Sequence, residues 1–419
     1  QYLNRFRDLS LFSLKGHTKA LISAQFSYDG KSIVTASYDN TAKVWDAKAG
    51  TEFFTIKGHN APILSATFSP DGKRILTASD DKTAKVWDTK TGAEIFTIVG
   101  HKRTVYSAQF SPDGRQIITF SNDNTAQVWD AKNGKQLFSL KGNTGGVICA
   151  HFSLDEIRII TASQDNTARV WDAKTGKELL SLKGHSIGLN SAKFSPDGNY
   201  IVAVGTDRIT RMWDAKNGNE LLFFKGHTNR VNTVSFSLDG NQIVTASDDN
   251  TAKVWDTKSG NEILSLNGHK GGVLSAQFSP DGNRLVTSSW DNTARVWDAK
   301  SGAELLPFKG HKNCVLSAQF SADGNRIVTA SSDNTARVWS AQTGKELFSI
   351  NRHIVGLCSA HFSPDGNRFI TAIRQTTISA NNNNAWLWDA KTGKEILSLN
   401  SNSLGVNLSL IHISEPTRP

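Results

Sequence analysis

A histidine, a serine and an aspartate stand at His17, Ser37 and Asp39, with Trp45 a few residues further on. These residue types can build a hydrolytic triad, in which His takes the hydroxyl proton and Asp orients the imidazole. The set returns at His59, Ser79, Asp81 and Trp87, at His101, Ser121, Asp123 and Trp129, and at His227, Ser247, Asp249 and Trp255. It returns again at His269, Ser289, Asp291 and Trp297, and at His311, Ser331, Asp333 and Trp339. A nucleophile is needed once, in one cleft, so a constellation repeated through the chain points to a structural part. A buried indole N–H needs an acceptor, and His can donate and accept at once. No catalytic residue is assigned. The sequence shows no glycine-rich phosphate loop, no metal-spaced His/Cys set and no isolated carboxylate pair, so no metal or cofactor is expected.

The elements that carry these residues follow from the period. Trp45, Trp87, Trp129, Trp171, Trp213, Trp255, Trp297 and Trp339 are 42 residues apart, and a ninth unit ends at Trp388-Asp389 after a seven-residue insertion. Each unit holds four strand-like runs separated by turn signals. In the seventh these are Val273–Phe278, Arg284–Ser288, Thr293–Trp297 and Glu304–Phe308. Asp-Gly and Asp-Asn suit the tight turns because Gly, Asn and Asp tolerate positive φ. Each unit therefore reads as a four-stranded antiparallel meander. One meander cannot bury both faces, but units stacked radially into a ring can. The fold class is all-β.

Gly-His pairs at a constant interval before Trp, and Trp-Asp at a fixed period, resemble the WD-repeat family over roughly Asp8 to Asn400. The resemblance implies a β-propeller of four-stranded blades. Nine units allow a nine-bladed ring, or eight or seven blades with units left over. It also implies that the first strand of each unit is the outer strand of the preceding blade. Leu9–Leu14 would then pair with the last blade, and Ile396–Leu399 is a second claimant for that place. Finally it implies that the repeated set is a hydrogen-bonded tetrad running Trp to Ser to His to Asp. Several units depart from it: Asn143 replaces His in the fourth, Gly205 replaces Ser in the fifth, and Arg352, Ile373 and Gln375 break the ninth. The ninth also carries the Asn-rich stretch Asn381–Asn384. His151 and His361 fall in expected inner strands, as packed or channel-lining residues.

The repeats act as their own control for a binding face. Lower turns such as Ser-Pro-Asp-Gly barely change, whereas the residue before the tetrad Asp runs Tyr38, Asp80, Asn122, Gln164, Thr206, Asp248, Trp290, Ser332. A specific face must differ from blade to blade. In WD-repeat proteins these upper loops are the usual partner contacts, and Trp, Tyr and Arg are enriched at interface hot spots. The expected contacts are Tyr38, Lys102, Arg103, Arg230, Lys270, Trp290 and Lys312. The expected partner is a protein or peptide, with acidic or phosphorylated segments favoured by the basic residues.

The chain has 419 residues and a formal net charge of +9. Much of the excess recurs at one place per unit, as Lys43, Lys85, Arg169, Lys253, Arg295 and Arg337, and reads as a solvated basic exterior rather than a nucleic-acid stripe. Cys149, Cys314 and Cys358 form no Cys-x-x-Cys and suit a reducing, cytoplasmic setting. No apolar run is long enough for a membrane helix. The sequence divides into a lead-in (1–8), the repeat domain (9–400) and a tail (401–419). Within the tail, Leu408–Arg418 back-translates to a sequencing-adapter-like stretch. It is read as read-through, which would truncate the native protein near Asn407. The leading expectation is a non-catalytic interaction scaffold, of a bacterial kind to judge by its near-identical repeats. A propeller enzyme with a site at the channel mouth and a nucleic-acid binder are the rivals.

Overall fold

The computed structural model describes residues 13–15, 17, 19, 21–47, 51–153, 155–187, 189–351, 357–373 and 383–401. The lead-in, Leu9–Phe12, Arg352, Gln375, Asn381 and the adapter-like tail lie outside these. The described strands form nine sheets, each an antiparallel meander in chain order. The first runs Leu21–Phe26, Ser32–Ser37, Thr41–Asp46, Glu52–Lys57, and the ninth Leu357–Phe362, Arg368–Ile373, Asn383–Asp389, Glu395–Ser401. The sheets are the blades of a nine-bladed propeller, which removes the eight- and seven-bladed alternatives. Both claimants for the last outer place are present in the ninth sheet. Glu395–Ser401 is its fourth strand, and Ser13–Lys15 lies outside it in parallel.

The core sits in the seams between blades. Val34, Ala36, Val44 and Ile56 of blade one pack against Ile63, Ala66, Phe68, Ile75 and Trp87 of blade two. The same arrangement recurs from seam to seam. The second strand of each blade is covered on both faces, so Ile33 to Ser37 are all buried, and its β-branched residues suit that position. Positive φ closes the turns: Gly30 at +67° below and Asn40 at +67° above.

A second tie crosses the lower seams. In six blades the residue opening the second strand reaches the lower turns of the next, in four of them both turns. Arg158 donates to Ala215 O at 2.9 Å and Gly198 O at 2.6 Å, with its guanidinium over Phe194 at 5.2 Å. Arg74, Arg284 and Arg326 repeat the arrangement on their following blades. Gln116 makes a single such bond, to Ala173 O at 3.0 Å. Arg368 of blade nine donates to Gly30 O of blade one at 2.9 Å, so the seam where the ring closes also carries such a tie.

Candidate functional site

In six of the nine blades the repeated His, Asp and Trp do form a hydrogen-bonded relay, but the hydroxyl in it is Thr. In blade six Trp255 Nε1 donates to Thr245 Oγ1 at 2.8 Å, and Thr245 Oγ1 lies 2.8 Å from His227 Nε2. His227 Nδ1 lies 2.8 Å from Asp249 Oδ2. A neutral imidazole protonated on Nδ1 satisfies the line throughout: indole N–H to Thr, Thr O–H to Nε2, Nδ1–H to carboxylate. The same bonds join Trp45, Thr35, His17 and Asp39 in blade one. They join Trp87, Thr77, His59 and Asp81 in blade two, and Trp129, Thr119, His101 and Asp123 in blade three. Blades seven and eight use Trp297, Thr287, His269, Asp291 and Trp339, Thr329, His311, Asp333.

The expected serines Ser37, Ser79, Ser121, Ser247, Ser289 and Ser331 therefore lie outside the relay. Each sits two residues further along the same strand, on the same face. Ser247 Oγ donates to Asn229 O at 3.1 Å and accepts from Asp249 N at 3.1 Å, fixing the upper turn. The strand register decides between the two hydroxyls. Trp255 pairs with Ile243, so its indole reaches Thr245 diagonally, and Ser247 lies one step too far. That register was available from the hairpin turn and would have identified Thr from sequence. In blade five the missing hydroxyl is accordingly at Ala203 rather than Gly205, and His185 Nε2 is buried without a partner. In blade four Thr161 still accepts from Trp171 at 2.9 Å, but the Asn143 amide has no partner. In blade nine Trp388 reaches Thr371 at 2.8 Å.

The relay resembles a triad in connectivity and differs in access. Thr245 is fully buried, and its oxygen already accepts the indole N–H, so no substrate carbonyl can reach it. The charge state is held as well. Burial pushes the Asp249 carboxyl up, but hydrogen bonds from His227, Thr251 and the Thr228 N–H outweigh it and hold it well below the usual range. Burial lowers His17 and His101 against the pull of Asp39 and Asp123. Of the two inner-strand histidines, His151 Nδ1 lies 3.3 Å from Gln109 Oε1 of the preceding blade. Burial lowers His361 to about 4. Among the described residues no His/Cys/Asp/Glu group could hold a metal ion.

The recurring cations are not a solvated exterior. Lys43 is 6% exposed and its Nζ lies 2.8 Å from Glu52 on the outer strand, over the Trp45 ring. Lys85–Glu94 and Lys253–Glu262 repeat this at 2.8 Å, and Arg169–Glu178, Arg295–Glu304 and Arg337–Glu346 are pairs of the same kind. Exposed lysines lie on both rims: Lys57, Lys141, Lys183, Lys225 and Lys309 at the upper ends of the outer strands, and Lys90, Lys132, Lys174, Lys216, Lys258 and Lys300 on the lower turns.

Of the expected contacts, Trp290 is 59% exposed, and Lys102, Arg103, Arg230, Lys270 and Lys312 are exposed. Tyr38 is half-buried. Three of the seven share one stretch of the upper face across the seam of blades six and seven. Asp248 N donates to Arg230 O at 3.0 Å, and Trp290 N donates to Gly272 O at 3.0 Å. A Cβ on Gly272 would meet Asp248, and one on Gly271 would meet Trp290, so the Lys270-Gly271-Gly272 loop is wedged between the two turns. Asp248, missed from sequence, also accepts from Asn232 Nδ2 at 2.7 Å. Tyr38, Lys102 and Arg103 belong to blades one and three, away from this seam, and Lys312 belongs to the loop entering blade eight.

Comparison with known proteins places the repeats. The family described as "WD domain, G-beta repeat" matches residues 9–46, 50–88, 92–130, 134–172, 176–214, 218–256, 260–298 and 302–340. The matched stretches stop before the irregular ninth blade. Among solved structures, the crystal structure of the computationally designed Ika8 protein is 31% identical with a TM-score of 0.62, over 79% of this chain and 99% of that one. No curated protein matches. The chain belongs to the WD domain, G-beta repeat family.

Proposed function

We propose that this chain is a non-catalytic scaffold that holds a protein or peptide on its upper face, across blades six and seven. The observation that carries the reading is Trp290, a 59% exposed indole at a place where the other described blades carry smaller or polar groups. Its blade already has a buried Trp in Trp297, so the fold does not need it. Rigid aromatic area beside Arg230 and Lys270 is the composition of an interface hot spot. The rim lysines favour an acidic or phosphorylated segment, with Asp248 setting a negative point inside the contact. We place the protein in a bacterial cytoplasm, where the free thiols of Cys149 and Cys314 would persist, and take 9–400 as one domain.

The test is affinity capture from source-organism lysate with wild type and Trp290→Ala/Arg230→Ala, followed by salt titration of whatever is retained. Capture should fall at least tenfold in the double variant while the unfolding midpoint stays within about 1 kcal/mol, since exposed substitutions change stability little. Retention of every partner at wild-type affinity would exclude this stretch as the binding site.

A further inference from the structure

Among the described residues there is one more outer strand than there are blades. Each of the nine blades supplies its own, and Ser13–Lys15 is a tenth. Both strands at the closing seam are copies of regular outer strands. Leu11–Gly16 reads LFSLKG, identical to Leu137–Gly142, and Glu395–Asn400 reads EILSLN, identical to Glu262–Asn267. Each original pairs antiparallel with the third strand of its blade.

Their relative direction has a geometric cause. His17 occupies its regular place, 2.9 Å from both Asp39 Oδ2 and Thr35 Oγ1. In the other blades the Gly-His follows directly on an outer strand, as His59 follows Glu52–Lys57. The segment leading to His17 must therefore arrive at the same corner and in the same direction as an outer strand of blade nine. That place is filled by Glu395–Ser401, with Leu399 opposite Ala385 and Ser398 opposite Trp386. The N-terminal copy is displaced by one strand width and pairs in parallel, Ser13 with Ser398, Leu14 with Leu399 and Lys15 with Asn400.

We propose that the outer place of blade nine is a docking site for either of two strands of the chain, Ser13–Lys15 or Glu395–Ser401. When Glu395–Ser401 leaves, Ser13–Lys15 moves in against Asn383–Asp389. It takes the register of its twin in blade three, where Leu140 faces Ala126 and Ser139 faces Gln127, so Leu14 comes to face Ala385 and Ser13 faces Trp386. The exchange is close to balanced, because one regular outer strand replaces another and each is tethered by a short loop. The C-terminal segment can then be withdrawn while the ring stays closed.

The experiment compares one substitution at two places that share a hexapeptide. Proline cannot donate to a ladder and breaks a strand that depends on it. Leu266→Pro hits the outer strand of blade six, which has no spare, and should lower Tm by about 10 °C or prevent folding. Leu399→Pro hits the identical sequence in blade nine and should lower Tm by no more than about 3 °C, with new protease sensitivity beyond Asp389. Leu14→Pro/Leu399→Pro should then behave like Leu266→Pro. Leu399→Pro as damaging as Leu266→Pro would overturn the proposal. So would a double variant no worse than Leu399→Pro alone, which would make the outer strand of blade nine dispensable.

Discussion

Thr245→Val isolates the hydroxyl of the relay. Valine has nearly the same shape, so no cavity opens, and only a donor and an acceptor are removed. Two buried groups lose their partner: the Trp255 indole N–H at 2.8 Å and the His227 Nε2 lone pair at 2.8 Å. An orphaned buried polar group costs about 1–3 kcal/mol, so the variant should lose about 2–6 kcal/mol. Ser247→Ala removes the bonds of a buried hydroxyl to Asn229 O and Asp249 N but leaves Trp255 and His227 paired, and should lose about 1–2 kcal/mol. Urea titration by far-UV circular dichroism gives the midpoints, with the slope checked because a ring of repeats need not unfold in one step. Indole N–H resonances identify the partner directly, with only 11 tryptophans to resolve. The Trp255 signal should move in Thr245→Val and stay in Ser247→Ala. The reverse pattern, in either midpoint or spectrum, would refute the relay through Thr.

Ala203→Thr should restore the hydroxyl that blade five lacks, giving His185 Nε2 a partner and raising stability by about 1 kcal/mol; no gain in midpoint would mean blade five has closed over the gap. Acid should destabilise the fold. The lowered His17 and His101 contribute stability that is present above pH 6.5 and is lost as pH falls through their folded values. The lowered Asp81, Asp249, Asp291 and Asp333 add a further loss that starts below about 3.8. Tm measured from pH 8 to 3 should fall from about 6.5 downward and steepen in the carboxylate range, whereas a flat or rising Tm between pH 7 and 5 would contradict the neutral-His state. Arg158→Ala deletes two charge-assisted bonds and a ring contact across a lower seam, and should cost about 2–4 kcal/mol by urea titration.

Sequence carried the repeat, the meander and the identity of His, Asp and Trp in the relay, because spacing along one chain fixes them. It did not separate Thr245 from Ser247, since two hydroxyls on one strand face differ only by a diagonal step that needs the pairing register. Lys43 and its equivalents read as solvated because Glu52 is nine residues away, across a hairpin. Arg158 gave no signal at all. Its acceptors lie 57 and 40 residues on, in the next blade, and that reach exists only once blades stack. Unit counting likewise left the ring size open until Arg368 was seen to join Gly30. On the upper face the sequence named seven residues, six of them exposed and Tyr38 half-buried, and scattered them over five blades. Arg230, Lys270 and Trp290 share one stretch, with Asp248 among them.

The lower-seam ties all point the same way round, and they do not cover the whole circle. Arg284, Arg326 and Arg368 link blades seven, eight, nine and one in an unbroken run, and Arg74, Gln116 and Arg158 link blades two to five. Ser32, Tyr200 and Gln242 hold that place in blades one, five and six, and among the described residues none of them makes the reach. Mechanically the propeller is two braced arcs of four blades with blade six set between them as a separate wedge. Under heat or pulling it should come apart into those arcs rather than blade by blade. A partner seated across Arg230 and Trp290 would straddle one border of the wedge, so binding would work as a clasp on a joint that has no lower tie and is crossed above by the bond from Asn232 Nδ2 to Val273 O.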